Sequence, residues 1–262
     1  MICLHDMTFF IPLYGIGGGD PAVVRKELSD VLKHEIFRSG SVLRSTFFTI
    51  LSLLLAVPLG VGGAIYLAEY ANRSSRIVKA VRLTAETLAG IPSIVYGYFG
   101  MMVIAPLIRD NFGGTGYSIL TASIVLGIMI LPTVIGVSES ALRALPNTYY
   151  EGALALGATH ERAVFMTEFP AARSGILTSV VLGLGRVVGE TMAVVMIVGN
   201  STALPDSLLD GVRTMTSHIV LELGYATDLH RGALIATAAV LFVFILLINL
   251  CFSAVKRKAD AT

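Results

Sequence analysis

Two charged side chains stand inside an otherwise apolar stretch: Arg186 and Glu190, within residues 174–200. Each costs roughly 2.5–3.5 kcal/mol to place at the centre of a membrane-spanning helix, so their presence calls for an explanation. Four residues apart, they project from one face of a continuous helix and partly neutralise each other. Arginine before glutamate is the weaker order with respect to the helix dipole, which speaks against a purely stabilising pair. A guanidinium offers several fixed donors to a tetrahedral oxyanion. Arg186 is therefore the candidate for lowering the barrier to an anion along a path, with Glu190 keeping the empty site neutral. The competing reading is an ion pair that locks neighbouring helices together.

Other chemistry has little support. No GxxxxGK[ST] run is present to cradle nucleotide phosphates, and no GxSxG elbow or Cys/His pairing supports hydrolysis. Cys3 and Cys251 lie far apart and outside any CxxC or Cys/His cluster, and His218 and His230 lack partners at metal-ligand spacing. The chain is read as having no cofactor, no metal and no catalytic residue. A formal net charge of +1 leaves no electrostatic footprint for nucleic acid.

What must position Arg186 and Glu190 is a membrane bundle. The 262 residues are 55% hydrophobic and only 14% charged, a balance that points to several transmembrane helices. Apolar runs cover 45–68, 87–108, 117–137, 174–200 and 232–255. Each can cross roughly 30 Å of hydrocarbon at about 1.5 Å per residue. No alternating strand pattern appears, so the expected fold is an all-α polytopic bundle of about five spans. Pro132 falls near the end of the third run, and Gly90-Ile91-Pro92 opens the second. Gly60, Gly62 and Gly63, like Gly183, Gly185 and Gly189, read as small residues that let helices approach closely.

Loop charge sets the orientation. Residues 71–86 hold Arg73, Arg76, Lys79 and Arg82 against Glu86 alone, and so belong in the cytoplasm. Segments 108–116 and 201–230 are balanced or acidic and belong outside, where 206–222 closes the mouth of the bundle or meets a partner. Alternation then places 139–172 in the cytoplasm, with 256–262 as a cytoplasmic tail and 41–255 as the membrane domain. Residues 1–40 become an extracytoplasmic segment. They hold no span of their own, since the apolar run 7–16 is too short, and a missing first span is the favoured explanation.

Residues 151–170, EGALALGATHERAVFMTEFP, are too long and too patterned for a simple reversal. Glu151-Gly152-Ala153, three residues, Gly157, nine residues, Thr167 and then Phe169-Pro170 resemble the cytoplasmic loop of ABC-importer permeases. That family runs Glu-Ala-Ala, three residues, Gly, nine residues, Ile, one residue, Leu-Pro. Gly152, Thr167 and Phe169 depart from it; Glu151, Ala153, Gly157 and Pro170 fit. A short helix here must lie in a groove of another subunit, and Gly157 gives the sharp exit that a side chain would obstruct. Pro170 suits the first turn of the next helix. A helix resting on lipid headgroups is the plainer alternative.

From Ser41 onward the chain resembles the membrane subunits of phosphate-specific ABC importers. LAGIPSIVYGYFG (88–100) and LGLGRVVGETMAVVMIVGN (182–200) carry most of the resemblance. GETMAV (189–194) and RTMTSHIVLELG (213–224) make it more similar to the PstC kind. The resemblance implies a second permease subunit, two ATP-binding subunits and an extracytoplasmic phosphate-binding protein as partners, with phosphate as substrate. It also implies a bacterial or archaeal plasma membrane location, and ATPase coupling through Glu151, Ala153, Gly157 and Pro170. A permease for molybdate or sulfate, or an autonomous ion-coupled carrier built on Arg186 and Glu190, remain the alternatives.

Overall fold

The computed structural model describes residues 41–72, 75–201 and 205–260. The expected segment 1–40 lies outside these. Among the described residues the chain is helical, apart from one isolated bridge between Gly199 and Val212. Helix α1 (Ser41–Ile65) runs on through a π-turn, Tyr66–Tyr70. An amphipathic α2 (Arg76–Ala89) follows, then α3 (Ser93–Phe112), α4 (Ile119–Arg143) and the short α5 (Thr148–Ala155). After them come α6 (His160–Ala171), α7 (Arg173–Val188), α8 (Met192–Ile197), α9 (Met215–Leu223) and α10 (Asp228–Asp260).

Helix α4 is the axis of the bundle. Its most apolar window is 61% buried, against 33% for α1 and 17% for α10, so α10 is peripheral. Leu126, Met129, Ile130 and Val134 on α4 are fully enclosed, with α1 and α7 packed along its length. A Cβ added to Gly60 on α1 would fall 2.6 Å from Val134 Cγ1, so this glycine permits the closest α1–α4 approach. Gly62 and Gly185, expected to do the same, face open space within this chain. Buried Ser138 and Ser179 share a 2.8 Å hydrogen bond between α4 and α7, which satisfies both hydroxyls where lipid and side chains offer no water.

Three helices, Ser45–Tyr70, Ile119–Arg143 and His230–Ala254, are long and apolar enough to cross a membrane. Two bent pairs, Val78–Ala89 with Ser93–Phe112 and His160–Ala171 with Arg173–Val188, bring the number to five when each counts as one span, and the second pair then reaches back to residue 160, whereas the expected fourth span starts at 174. The second span starts at Ser93, not at residue 87. Pro92 lacks an amide donor and keeps Ile91 out of helical geometry, so α2 stops at Ala89 and α3 leaves at 104° to it. The Tyr96 hydroxyl donates to the Leu88 carbonyl at 2.8 Å, covering an acceptor that the end of α2 exposes. The fourth run is likewise two helices, α7 and α8, parted at residues 189–191. Helix α10 runs through to Asp260, so its backbone carries no break at the expected start of the tail, residue 256.

The loops gather at two opposite ends, in the pairs that their charges predict. At one end Arg82 of α2 and Arg143 of α4 both bind Glu139, and Arg143 also donates to the Leu67 carbonyl at 2.7 Å. This ties α1, α2 and α4 together beside α5 and α6. At the other end the Ile119 and Leu120 amides donate to the Asp210 and Leu208 carbonyls at 3.1 and 3.0 Å. The segment 205–213 thus lies across the start of α4 and satisfies two first-turn amides that would otherwise be open.

Candidate functional site

The break between α7 and α8 is made of hydrogen bonds that end one helix and begin the next. The Gly189 amide donates back to Gly185 at 3.3 Å, and the Glu190 amide to Val187 at 3.1 Å. Glu190 Oε1 then accepts from the Ala193 amide at 3.1 Å, capping α8. Thr216 Oγ1 donates to the Glu190 carbonyl at 3.3 Å and ties the break to the start of α9. Across from α8, a Cβ on Gly97 would lie 2.8 Å from the Ala193 Cα, so α3 and α8 cross backbone to backbone.

Arg186 occupies the last turn of α7 and is half-buried. Among the described residues its guanidinium makes no hydrogen bond or ion pair, and Tyr96 of α3 is within its electrostatic reach. The expected mutual neutralisation across one helix face is corrected by this geometry. A cation at the carboxyl end of α7 and an anion at the amino end of α8 each oppose a helix-end partial charge of the other sign. The order that is unfavourable within one helix becomes favourable across a break. Among the described residues Arg186 is left with uncommitted donors.

The second group of expected residues lies on α5 and its exit. Glu151 is exposed in the first turn, where a carboxylate suits the helix dipole. Ala153 is half-buried. Gly157 has φ +83°, and its amide donates to Leu154 at 2.9 Å while the Ala158 amide donates to Ala153 at 3.1 Å. These two bonds make a Schellman cap with glycine at the left-handed position. No atom lies within 4 Å of a Cβ built on Gly157. The backbone angle, not crowding, is therefore what selects glycine, which revises the steric reason given above. Pro170 stands in the first positions of the last turn of α6, ahead of the 65° bend into α7.

Around this cap the surface is apolar. Leu156 is 91% exposed and Met166 73%, with Phe165, Tyr149 and Leu154 also open. Exposed apolar side chains gathered in this way mark a surface suited to contact with a protein or with lipid.

Beneath α5 is a cluster that the sequence pattern did not single out. The Tyr150 hydroxyl shares a 2.8 Å hydrogen bond with His160 Nδ1. The His160 ring meets Tyr70 edge-on, with centroids 4.8 Å apart. Glu168 is buried, and one of its side-chain oxygens has no hydrogen-bond partner among the described residues.

Known proteins place this architecture. The family model described as "Binding-protein-dependent transport system inner membrane component" matches residues 56–260. The probable ABC transporter permease protein YqgH of Bacillus subtilis is 42% identical over 217 residues, covering 80% of this chain and 69% of that protein. The phosphate transport system permease protein PstC 2 of Mycobacterium tuberculosis is 39% identical over 223 residues, covering 77% and 68%. Among solved structures, the inward-facing MetNI methionine ABC transporter is similar in fold. It has a TM-score of 0.68 at 17% identity, covering 84% of this chain and 94% of that one. The chain belongs to the family of inner membrane components of binding-protein-dependent transport systems.

Proposed function

We propose that this chain is one of two permease subunits of an ATP-driven phosphate importer. Its similarity to a phosphate transport permease, 39% identical over 223 residues, is the observation that carries the substrate. In this reading one of two ATP-binding subunits grips α5 and its apolar rim from the cytoplasm, and a binding protein delivers the anion at the opposite mouth. Glu151, Ala153, Gly157 and Pro170 shape the gripped element. Residues 139–172 form the cytoplasmic coupling loop within a membrane domain spanning 41–255.

Movement of α5 passes into α6, through the 65° bend to α7, and so to the α7–α8 break. Arg186, free of a carboxylate partner and held at a helix end, offers its donors to the passing anion. Glu190 holds the start of α8 and keeps the local charge balanced. Coupling of this kind moves the equilibrium only as far as the ATP-binding subunits prefer one state over the other.

The test is uptake by vesicles containing this chain, its partner permease and the ATP-binding subunits, with phosphate against sulfate and molybdate. ATP-dependent phosphate uptake, lost in Gly157→Asp and cut in Arg186→Gln, supports the proposal. Preference for sulfate or molybdate would move the substrate. Uptake by this chain alone without ATP would replace the importer with an autonomous carrier.

A further inference from the structure

Both ends of α8 are held by one short stretch of chain, residues 212–216. At the exit of α8 the Val212 amide donates to the Val198 carbonyl at 2.9 Å, beside the Gly199–Val212 bridge. Arg213 Nε donates to the Asn200 carbonyl at 3.3 Å. At the entry of α8, Thr216 Oγ1 donates to the Glu190 carbonyl in the α7–α8 break. Between these points the Met215 amide donates to Ser45 Oγ of α1 at 3.4 Å, and Val212, Thr214 and Met215 are buried. The stretch is stiff in its own right, because Thr214 and Ser217 form a reciprocal capping box that starts α9. It also packs closely: a Cβ on Gly199 would fall 2.8 Å from the Tyr117 carbonyl oxygen and 2.9 Å from the Gly211 Cα.

The joint at Asn200 is held against a cost. Its φ of +50° lies in the left-handed region, and its Oδ1 is buried with no hydrogen-bond partner among the described residues. Asn200 Nδ2 donates to the Val195 carbonyl at 2.8 Å, and Arg213 holds its carbonyl from the other side. Such a conformation persists only where its surroundings fix it from several directions. Arg213 is itself fixed by α9, through a 2.8 Å ion pair from Nη1 to Glu222, with His218 Nδ1 at 3.4 Å. Helix α9 thus grips Arg213, and Arg213 grips the exit of α8. The other side of α9 and the turn beyond it are open, with Val220, Leu223 and Tyr225 exposed.

We propose that residues 212–216 are a strap that carries displacement of α9 into α8, with Arg213 and Thr216 as positioning residues for the anion path at Arg186. Because the same stretch holds Asn200 and Glu190, α8 moves with it as a body. The movement is absorbed at the α7–α8 break, where the helical hydrogen bonds of α7 end beside Arg186. A binding protein that docks at the outer mouth meets the exposed side of α9, so the strap joins its arrival to the path, a role that rests on the importer function proposed above.

The experiment uses the assembled importer in nanodiscs, reading ATP hydrolysis against the concentration of phosphate-loaded binding protein. Arg213→Gln should lower the maximal stimulated rate about tenfold, roughly the worth of one charge-assisted hydrogen bond, without raising the half-saturating concentration. Arg213→Lys keeps a charge opposite Glu222 but lacks the fork that also reaches the Asn200 carbonyl, and should recover part of the rate. Thr216→Val, which keeps the shape and removes the donor to Glu190, should lower the rate in the same way but by less. A full stimulated rate in Arg213→Gln, or a loss that appears wholly as weaker docking, would overturn the strap. Hydrogen exchange on the purified chain in nanodiscs gives a readout independent of transport. The Val195 and Val198 amides of α8 should exchange about tenfold faster in Arg213→Gln, with those of α4 unchanged. Equal exchange in α8 would also overturn the strap. If the wild-type assembly neither moves phosphate nor responds to the binding protein, the importer reading fails, and hydrogen exchange decides the strap by itself.

Discussion

Replacing Gly157 with alanine isolates one physical quantity. At φ +83°, an L-residue with a Cβ meets its own backbone, at a cost of about 1–2 kcal/mol. The surroundings add nothing, because no atom lies within 4 Å of the position that the Cβ would take. Alanine therefore leaves α5 and its neighbours in place and raises only the free energy of the capped exit. If the strained exit relaxes in the free chain and the ATP-binding subunit recognises only the capped one, the penalty appears in binding, a loss of up to about 5- to 30-fold.

Two companion substitutions make the reasoning refutable. Asparagine tolerates the left-handed region, so Gly157→Asn should recover most of the affinity despite its larger side chain. Gly152 also faces open space but lies within α5, so Gly152→Ala should leave binding unchanged or tighten it, favouring the helix by about 0.5–1 kcal/mol. Binding of fluorescently labelled ATP-binding subunit to the permease pair in nanodiscs would measure all three. If Gly157→Asn binds no better than Gly157→Ala, a contact and not the backbone governs the site. If Gly152→Ala loses as much as Gly157→Ala, α5 is not gripped as a helix.

Three further outcomes follow from the packing. Glu139→Gln strands Arg82 and Arg143, two partly exposed guanidinium groups, at the wall of a cavity of about 340 Å³. Allowing for solvent screening, thermal unfolding in detergent should show a loss of about 1–3 kcal/mol. Gly60→Ala drives a methyl to 2.6 Å from Val134 Cγ1 and 2.9 Å from its Cβ and should destabilise the α1–α4 contact by about 1–3 kcal/mol, with partial recovery in a Gly60→Ala/Val134→Ala double variant that removes only the closer atom. Failure of the second change to rescue the first would show that the strain lies elsewhere. Glu190→Ala removes the cap of α8 and should cost about 0.5–2 kcal/mol by the same assay, whereas Glu190→Gln, which can still accept from the Ala193 amide, should cost less.

Long-range order was readable where hydrophobic length carries the information. The runs at 45–68 and 117–137 appear as α1 and α4, because a membrane needs about 20 apolar residues and little else. The pairing of loops at opposite ends also followed from their charges. Length alone misplaced the second span, since Thr87 and Leu88 are as compatible with a span as Ser93. There Pro92 decides, and it does so by turning the chain through 104°. The cluster at His160 was not legible at all. Tyr70 is remote from Tyr150 and His160 in sequence, and only the packing of the end of α1 against α6 brings its ring to His160.

The α7–α8 break shows why periodicity failed where it mattered most. Residues 174–200 read as one apolar span with an arginine and a glutamate on the same face, and in a continuous helix that order opposes the dipole. The conflict was itself the evidence for a break. Once the helix is interrupted at Gly189, Arg186 faces a carboxyl end and Glu190 an amino end, and neither needs the other. The interruption therefore separates two functions that one ion pair would have joined. Glu190 is consumed in building α8, while Arg186 remains available at the place where the chain bends. A charge pair that locked helices would have tied the guanidinium to a carboxylate, and an unbroken helix would have held both groups on one face.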